Sequence, residues 1–164
     1  MKKRIALTGA TGFIGGHLLE ELLSNGYYVN AITRKPQQAR KNVRWIEGNI
    51  ENKEALSKLL EEVDVVINVA GLVKAKTQRE FIAANSHPVL NLANAVKASH
   101  KNPHFIQVSS LVARKKNISN YATSKHQGEM HLKNNNLGIK WTIVRPPGVY
   151  GPNDNETLKI FRAL

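Results

Sequence analysis

An apolar run, Ile5-Ala6-Leu7, leads into Thr8-Gly9-Ala10-Thr11-Gly12-Phe13-Ile14-Gly15. Leu18, Leu19, Leu22 and Leu23 then follow at helical spacing. An apolar run giving way across three glycines to a period of 3.6 predicts a strand, a tight turn and a helix. Gly9 permits the turn, and Gly12 lets the backbone approach a pyrophosphate with no Cβ in the way. Gly15 lets the helix pack closely on the strand. The helix start adds unpaired N–H groups and the positive end of its dipole, both suited to phosphate. The spacing is G-x-x-G-x-x-G rather than G-x-G-x-x-G, and glycine turns are common, so support must come from the rest of the chain.

Further along, Tyr27-Tyr28-Val29-Asn30-Ala31-Ile32-Thr33 is a second β-rich run after Gly26, and Val43-Arg44-Trp45-Ile46-Glu47 a third. Asn52 is placed to cap a helix carrying Leu56, Leu59 and Leu60. The stretch 63–71, Val-Asp-Val-Val-Ile-Asn-Val-Ala-Gly, is nearly continuously apolar and reads as a strand buried on both faces. A basic connection (72–79) precedes a helix over about 80–99, broken or bent near Pro88, with Asn85 inside it. His104-Phe105-Ile106-Gln107-Val108-Ser109 is a fifth strand ending at Ser109-Ser110. A polar loop, 114–120, leads to a helix opened by Tyr121 and closed near Gly138. Trp141-Thr142-Ile143-Val144-Arg145 is a sixth strand, and 156–164 can start one more helix. Strands and helices therefore alternate. That pattern predicts an α/β fold: a Rossmann-like, doubly wound parallel sheet of about six strands in three layers. Ligands of such sheets sit beyond the carboxyl ends of the strands. Residues 9–15, Arg34, Ala70-Gly71, Ser109-Ser110 and 145–151 all fall there.

The end of the second strand is where a dinucleotide fold distinguishes its cofactors. An acid there bonds the ribose 2′-hydroxyl, whereas an arginine accommodates a 2′-phosphate. The strand has no acid and Arg34 follows it, so NADP is expected ahead of NAD. Tyr121 and Lys125 are four residues apart, on one helix face. A neighbouring ammonium favours the phenolate, so Tyr121 is expected to titrate below about 10 and to exchange a proton with a substrate oxygen.

A length of 164 residues suits one domain with a real core. The absence of Cys rules out disulfides and thiolate metal sites. The histidines at 17, 87, 100, 104, 126 and 131 include no H-x-x-x-H pair at metal spacing on one helix, and no metal is expected. No apolar run reaches the roughly 18 residues of a membrane span, and Met1-Lys2-Lys3-Arg4 runs straight into the first strand rather than a signal-peptide core. A cytoplasmic protein that does not engage membranes is expected. The formal charge of +12 is spread along the chain without aromatic interleaving, which argues for a basic solvated surface and against nucleic acid as a partner.

Five features together resemble the extended short-chain dehydrogenase/reductase family, which holds NAD-dependent epimerases and dehydratases. They are Thr8-Gly9-x-x-Gly12-x-x-Gly15, Asn68-Val69-Ala70-Gly71, Ser109-Ser110, Tyr121-x-x-x-Lys125 and Arg145-Pro146-Pro147-x-x-Tyr150-Gly151-Pro152. The resemblance covers essentially the whole chain. It implies catalysis by Ser110, Tyr121 and Lys125, with Ser110 rather than Ser109 on the reacting oxygen and Lys125 also on the nicotinamide ribose. It implies a cofactor site built from Gly9, Thr11, Gly12, Phe13, Ile14, Gly15, Arg34, Asn49, Ile50, Ala70, Gly71, Asn85, Tyr121, Lys125 and Pro146. Asn85 would support the lysine, and Pro146 would stiffen the loop beneath the nicotinamide. Gly48-Asn49-Ile50 departs from the family's Gly-Asp-hydrophobic element, leaving an amide where an acid meets the adenine.

The implied activity is an NAD(P)-dependent oxidoreductase or epimerase/dehydratase acting on a carbonyl or secondary alcohol of a small molecule, such as a nucleotide sugar. The contrasting reading is a dinucleotide-binding scaffold or redox sensor without turnover. Family members often pair through the Tyr-Lys helix, so a homodimer is also implied. Residues 1–164 correspond to the cofactor-binding portion. The family's smaller C-terminal substrate domain lies beyond them, and what the cofactor reacts with is decided there.

Overall fold

The computed structural model describes residues 2–134 and 136–154. Its strands are β1 (Arg4–Thr8), β2 (Tyr28–Thr33), β3 (Val43–Glu47), β4 (Val65–Asn68), β5 (His104–Val108) and β6 (Trp141–Val144). The helices are α1 (Phe13–Ser24), α2 (Lys53–Leu59), α3 (Gln78–Asn85), α4 (His87–Ala98) and α5 (Asn120–Asn134). The strands form one six-stranded sheet in the order β3-β2-β1-β4-β5-β6, with every pair parallel. The doubly wound expectation is met. The chain leaves β1 toward β2 and β3, then returns to lay β4, β5 and β6 on its other side. Crossovers of one hand running in opposite directions put their helices on opposite faces. Leu19 and Leu22 of α1 accordingly pack with Ile5, Leu7, Val29, Ala31 and Ile67 on one face. On the other, α2, α4 and α5 pack with Ala6, Ile32, Val66 and Phe105. The reversal opens a crevice between β1 and β4 at their carboxyl ends.

Local differences from the sequence reading have local causes. The stretch expected as one helix near Pro88 is two helices meeting at Ser86, because a proline near the start of α4 cannot donate to the preceding turn. Helix α3 starts two residues before the expected Glu80. A reciprocal capping box fixes that start, with Thr77 Oγ1 accepting from the Glu80 N–H and the Glu80 carboxylate accepting from the Thr77 N–H. Asn85, expected inside a helix, is the last residue of α3, where an amide carries little penalty. No helix joins β2 to β3, so strict alternation fails once. The polar loop before α5 contains two short 3-10 turns, Leu111–Arg114 and Lys116–Ile118. The helix start expected within 156–164 lies outside the described residues. Among the described residues no helix is long and apolar enough to cross a membrane.

Buried polar side chains tie the sheet together. Thr8, Asn68 and Gln107 stand in register across β1, β4 and β5. Thr8 Oγ1 donates to Asn68 Oδ1 at 2.5 Å, and Asn68 Nδ2 donates to Gln107 Oε1 at 2.7 Å. Thr8 Oγ1 also accepts from the Val69 and Ala70 N–H groups, each at 3.1 Å. That draws the chain out of the sheet after Asn68, which is why β4 stops short of the expected Gly71.

Candidate active site

One cleft runs along the carboxyl ends of the strands. It is lined by Gly9, Thr11, Gly12, Phe13, Ile14, Gly15, Arg34, Asn49, Ile50, Ala70, Gly71, Ser110, Tyr121 and Pro146. Of the residues expected at a site, only Asn85 and Lys125 stand behind its wall. At the glycine turn, Gly9 has φ +71°, and a Cβ there would meet the Ala70 nitrogen at 2.8 Å. A Cβ on Gly15 would fall 1.9 Å from the Gly9 carbonyl oxygen. Helix α1 thus begins as close to β1 as backbone allows. Its N-cap, Gly12, offers no side-chain bond, and its first turn holds no acid. No side-chain cap or first-turn carboxylate of α1 thus competes for the N–H groups of that turn.

Under β2 and β3, Arg34 is exposed on the cleft wall just past Thr33. Thr33 Oγ1 holds the turn, donating to the Lys35 carbonyl at 2.9 Å. The nearby Glu20 is already paired with Arg40. Asn49 Oδ1 accepts from the Glu51 and Asn52 N–H groups at 2.9 and 3.0 Å. Its oxygen is committed to its own turn, so any adenine contact falls to the Nδ2 donor.

At the other end, β5 delivers Ser109 and Ser110 and α5 delivers Tyr121 and Lys125. The two serines have different surroundings. Ser109 is buried and donates to Glu129 Oε1 at 2.7 Å, whereas Ser110 lines the cleft with Tyr121. Burial raises the Tyr121 pKa above its ordinary value, and the neighbouring Ser110 side chain offsets this only in part. The expected downward pull by Lys125 is not what governs it: the Lys125 Nζ is 6.0 Å from the ring centroid, and Lys125 is itself desolvated. Burial lowers Lys125 to about 8, with the Glu129 charge pulling the other way. Its Nζ bonds the Val108 carbonyl at 3.4 Å and lies behind Gly71, where an added Cβ would meet it at 3.1 Å and Asn85 Oδ1 at 2.6 Å. Asn85 holds the Leu72 backbone at both ends, accepting from its N–H at 2.8 Å and donating to its carbonyl at 2.9 Å. It also donates to Ser124 Oγ at 3.0 Å.

The cluster that sequence reasoning missed is centred on Glu129, 1% exposed. Arg145 grips it twice, from Nε at 2.8 Å and Nη2 at 2.5 Å, and Lys133 Nζ approaches at 3.2 Å. Burial alone would raise the Glu129 carboxyl. The bonds from Arg145, Ser109 and Lys133 outweigh it and hold the group at about 2. A Lys125-x-x-x-Glu129-x-x-x-Lys133 run on a helix with Leu132 inward was the available signal.

The buried lysine gives a measurable signature. Its folded pKa of about 8 lies below an unfolded value near 10.4, so between those limits the unfolded chain binds more protons and stability rises with pH. Chemical denaturation from pH 7.5 to 10.5 should show the wild type gaining on Lys125→Met by about 3 kcal/mol. Parallel curves would mean the amine is solvated.

Compared with known proteins, residues 5–164 match the NAD-dependent epimerase/dehydratase family. A ceramide reductase of Caulobacter vibrioides is 38% identical over 162 residues, covering 96% of this chain and 50% of the relative. The crystal structure of a UDP-glucuronic acid 4-epimerase from Bacillus cereus in complex with NAD aligns with a TM-score of 0.78 at 28% identity. That alignment covers 92% of this chain and 58% of the other. The Bordetella bronchiseptica enzyme WbmH, in complex with NAD+, shares the fold, with a TM-score of 0.84 at 22% identity over 99% of this chain and 62% of its own. The chain spans about half the length of the curated relatives it matches.

Proposed function

Because this chain belongs to the NAD-dependent epimerase/dehydratase family, we propose that it binds a nicotinamide dinucleotide, NADP in preference to NAD, and serves hydride transfer at a carbonyl or secondary alcohol carbon. The observation that carries this is that Ser110 and Tyr121 line the same cleft as a glycine turn whose two closest approaches exclude a Cβ. Gly9, Thr11, Gly12, Phe13, Ile14 and Gly15 take the pyrophosphate on the N–H groups of α1. Arg34 meets the 2′-phosphate, Asn49 and Ile50 flank the adenine, and Ala70, Gly71 and Pro146 flank the nicotinamide half.

The bound cofactor supplies or accepts the hydride, and the chain supplies the proton. Burial keeps the Tyr121 phenol protonated near neutral pH, so in reduction it donates its proton to the carbonyl oxygen while the carbon takes the hydride. Ser110 holds that oxygen. Lys125, with Asn85 fixing the adjacent Leu72 backbone, sits where an ammonium stabilises the resulting phenolate.

Titration of the protein with NADPH and NADH, followed by cofactor fluorescence, tests the reading. NADPH is expected to bind at least tenfold tighter, with Arg34→Ala removing the difference through NADPH alone. Binding of neither dinucleotide would overturn the function, and an NADH preference indifferent to Arg34 would overturn the cofactor choice.

A further inference from the structure

Beyond β1, β2 and β3 the cleft wall combines glycine, Thr11, Arg34, Asn49 and Glu51 with Phe13, Ile14, Ile32 and Ile50. Beyond β4, β5 and β6, Leu72, Val73, Leu111, Ile118 and Val149 line it beside Ser110, Tyr121, Asn153 and Asp154, and these five alkyl side chains are 43% to 62% exposed. Large alkyl side chains gathered in the open around one site mark a binding surface rather than a solvated one. Their places in the chain tie them to the proton-transfer residues. Leu72 follows Gly71, which abuts Lys125 Nζ, and its backbone is held by Asn85. Leu111 follows Ser110, and Ile118 lies three residues before Tyr121. These side chains share the cleft with Ser110 and Tyr121.

We propose that the reacting carbonyl or hydroxyl is carried on an extended alkyl chain and that these aliphatic side chains bind that chain. The proposal rests on the dinucleotide reading above. Arg114 and Lys115, on the same wall, suit the diphosphate of a nucleotide sugar and the polar end of an amphiphile equally, so charge does not separate the two. The alkyl groups do. A sugar ring laid on them covers little alkyl surface, whereas every methylene of an alkyl chain covered there is favourable.

The test is calorimetric titration of the full chain, with and without saturating NADPH, using 2-hexanone, 2-octanone and 2-decanone, and separately UDP-glucose. The dissociation constant of the ketones is expected to fall about fourfold per added methylene. Val73→Asp and Ile118→Asp should abolish that dependence and leave the NADPH affinity and thermal midpoint unchanged. Affinity independent of chain length would overturn the proposal, as would binding of UDP-glucose with no binding of the ketones. If NADPH fails to bind while the ketone series keeps its slope, the hydride-transfer reading falls and the alkyl site stands.

Discussion

Gly15→Ala is expected to abolish dinucleotide binding, with a loss of at least 100-fold in NADPH affinity. The new Cβ would lie 1.9 Å from the Gly9 carbonyl oxygen and 2.6 Å from its carbon, so flexible side chains offer no relief. Either α1 lifts away from the end of β1 or the turn reshapes. Both displace the first-turn N–H groups from the place where a pyrophosphate meets them. Overpacking of this kind costs about 1–3 kcal/mol, so fluorescence titration should be paired with chemical denaturation. The neighbouring glycine supplies the control. A Cβ on Gly16 would meet the Ala10 carbonyl oxygen at an ordinary 3.7 Å. Gly16→Ala should therefore keep wild-type affinity and gain about 0.5–1 kcal/mol from its helix-interior position. Wild-type binding by Gly15→Ala would show that close strand–helix approach is not what shapes the cradle.

The contrast between those two glycines marks what sequence can reveal. Spacing identified the turn, because Gly9 and Gly15 in it answer backbone requirements that only glycine meets. The six strands were equally legible: Val65–Asn68 is a nearly unbroken apolar run because both its faces are covered, and such runs have few other readings. Pairing between distant side chains was not legible. Ser109 and Ser110 are adjacent in sequence, and only the fold shows one committed to Glu129 and the other lining the cleft with Tyr121. The Tyr121 titration was misjudged for the same reason. Four-residue spacing on a helix implies a close lysine, but burial of both groups, set by α3 and the β5 end, outweighs that proximity. Glu129 looked like one more charge on a polar helix until β6 brought Arg145 to it across 16 residues of chain.

Arg145→Met is expected to destabilise the protein by about 3–5 kcal/mol, because it takes the two-pronged partner from a carboxylate that is 1% exposed and leaves it only Ser109 and Lys133. The pH dependence distinguishes this from a simple packing loss. In the wild type Glu129 sits at about 2, below an unfolded carboxyl near 4.3. Its contribution is thus complete above pH 4.3 and is lost as pH falls toward 2. Without Arg145, burial is opposed only by Ser109 and Lys133, and the folded value is expected to move above the unfolded one. The sign then reverses: the variant is least stable where Glu129 must ionise and recovers relative to wild type as pH falls through the raised value. Urea denaturation at pH 7.5, 5.5 and 4.0 should show the gap narrowing stepwise. Adding Glu129→Gln to Arg145→Met removes the stranded charge, and Ser109 can still donate to the amide oxygen, so the double variant should recover at least 1 kcal/mol at pH 7.5. A pH-independent gap, or a double variant as unstable as the two losses summed, would make the pair ordinary packing. It would then not be the ionic clamp that joins the ends of β5 and β6 to the helix carrying Tyr121 and Lys125.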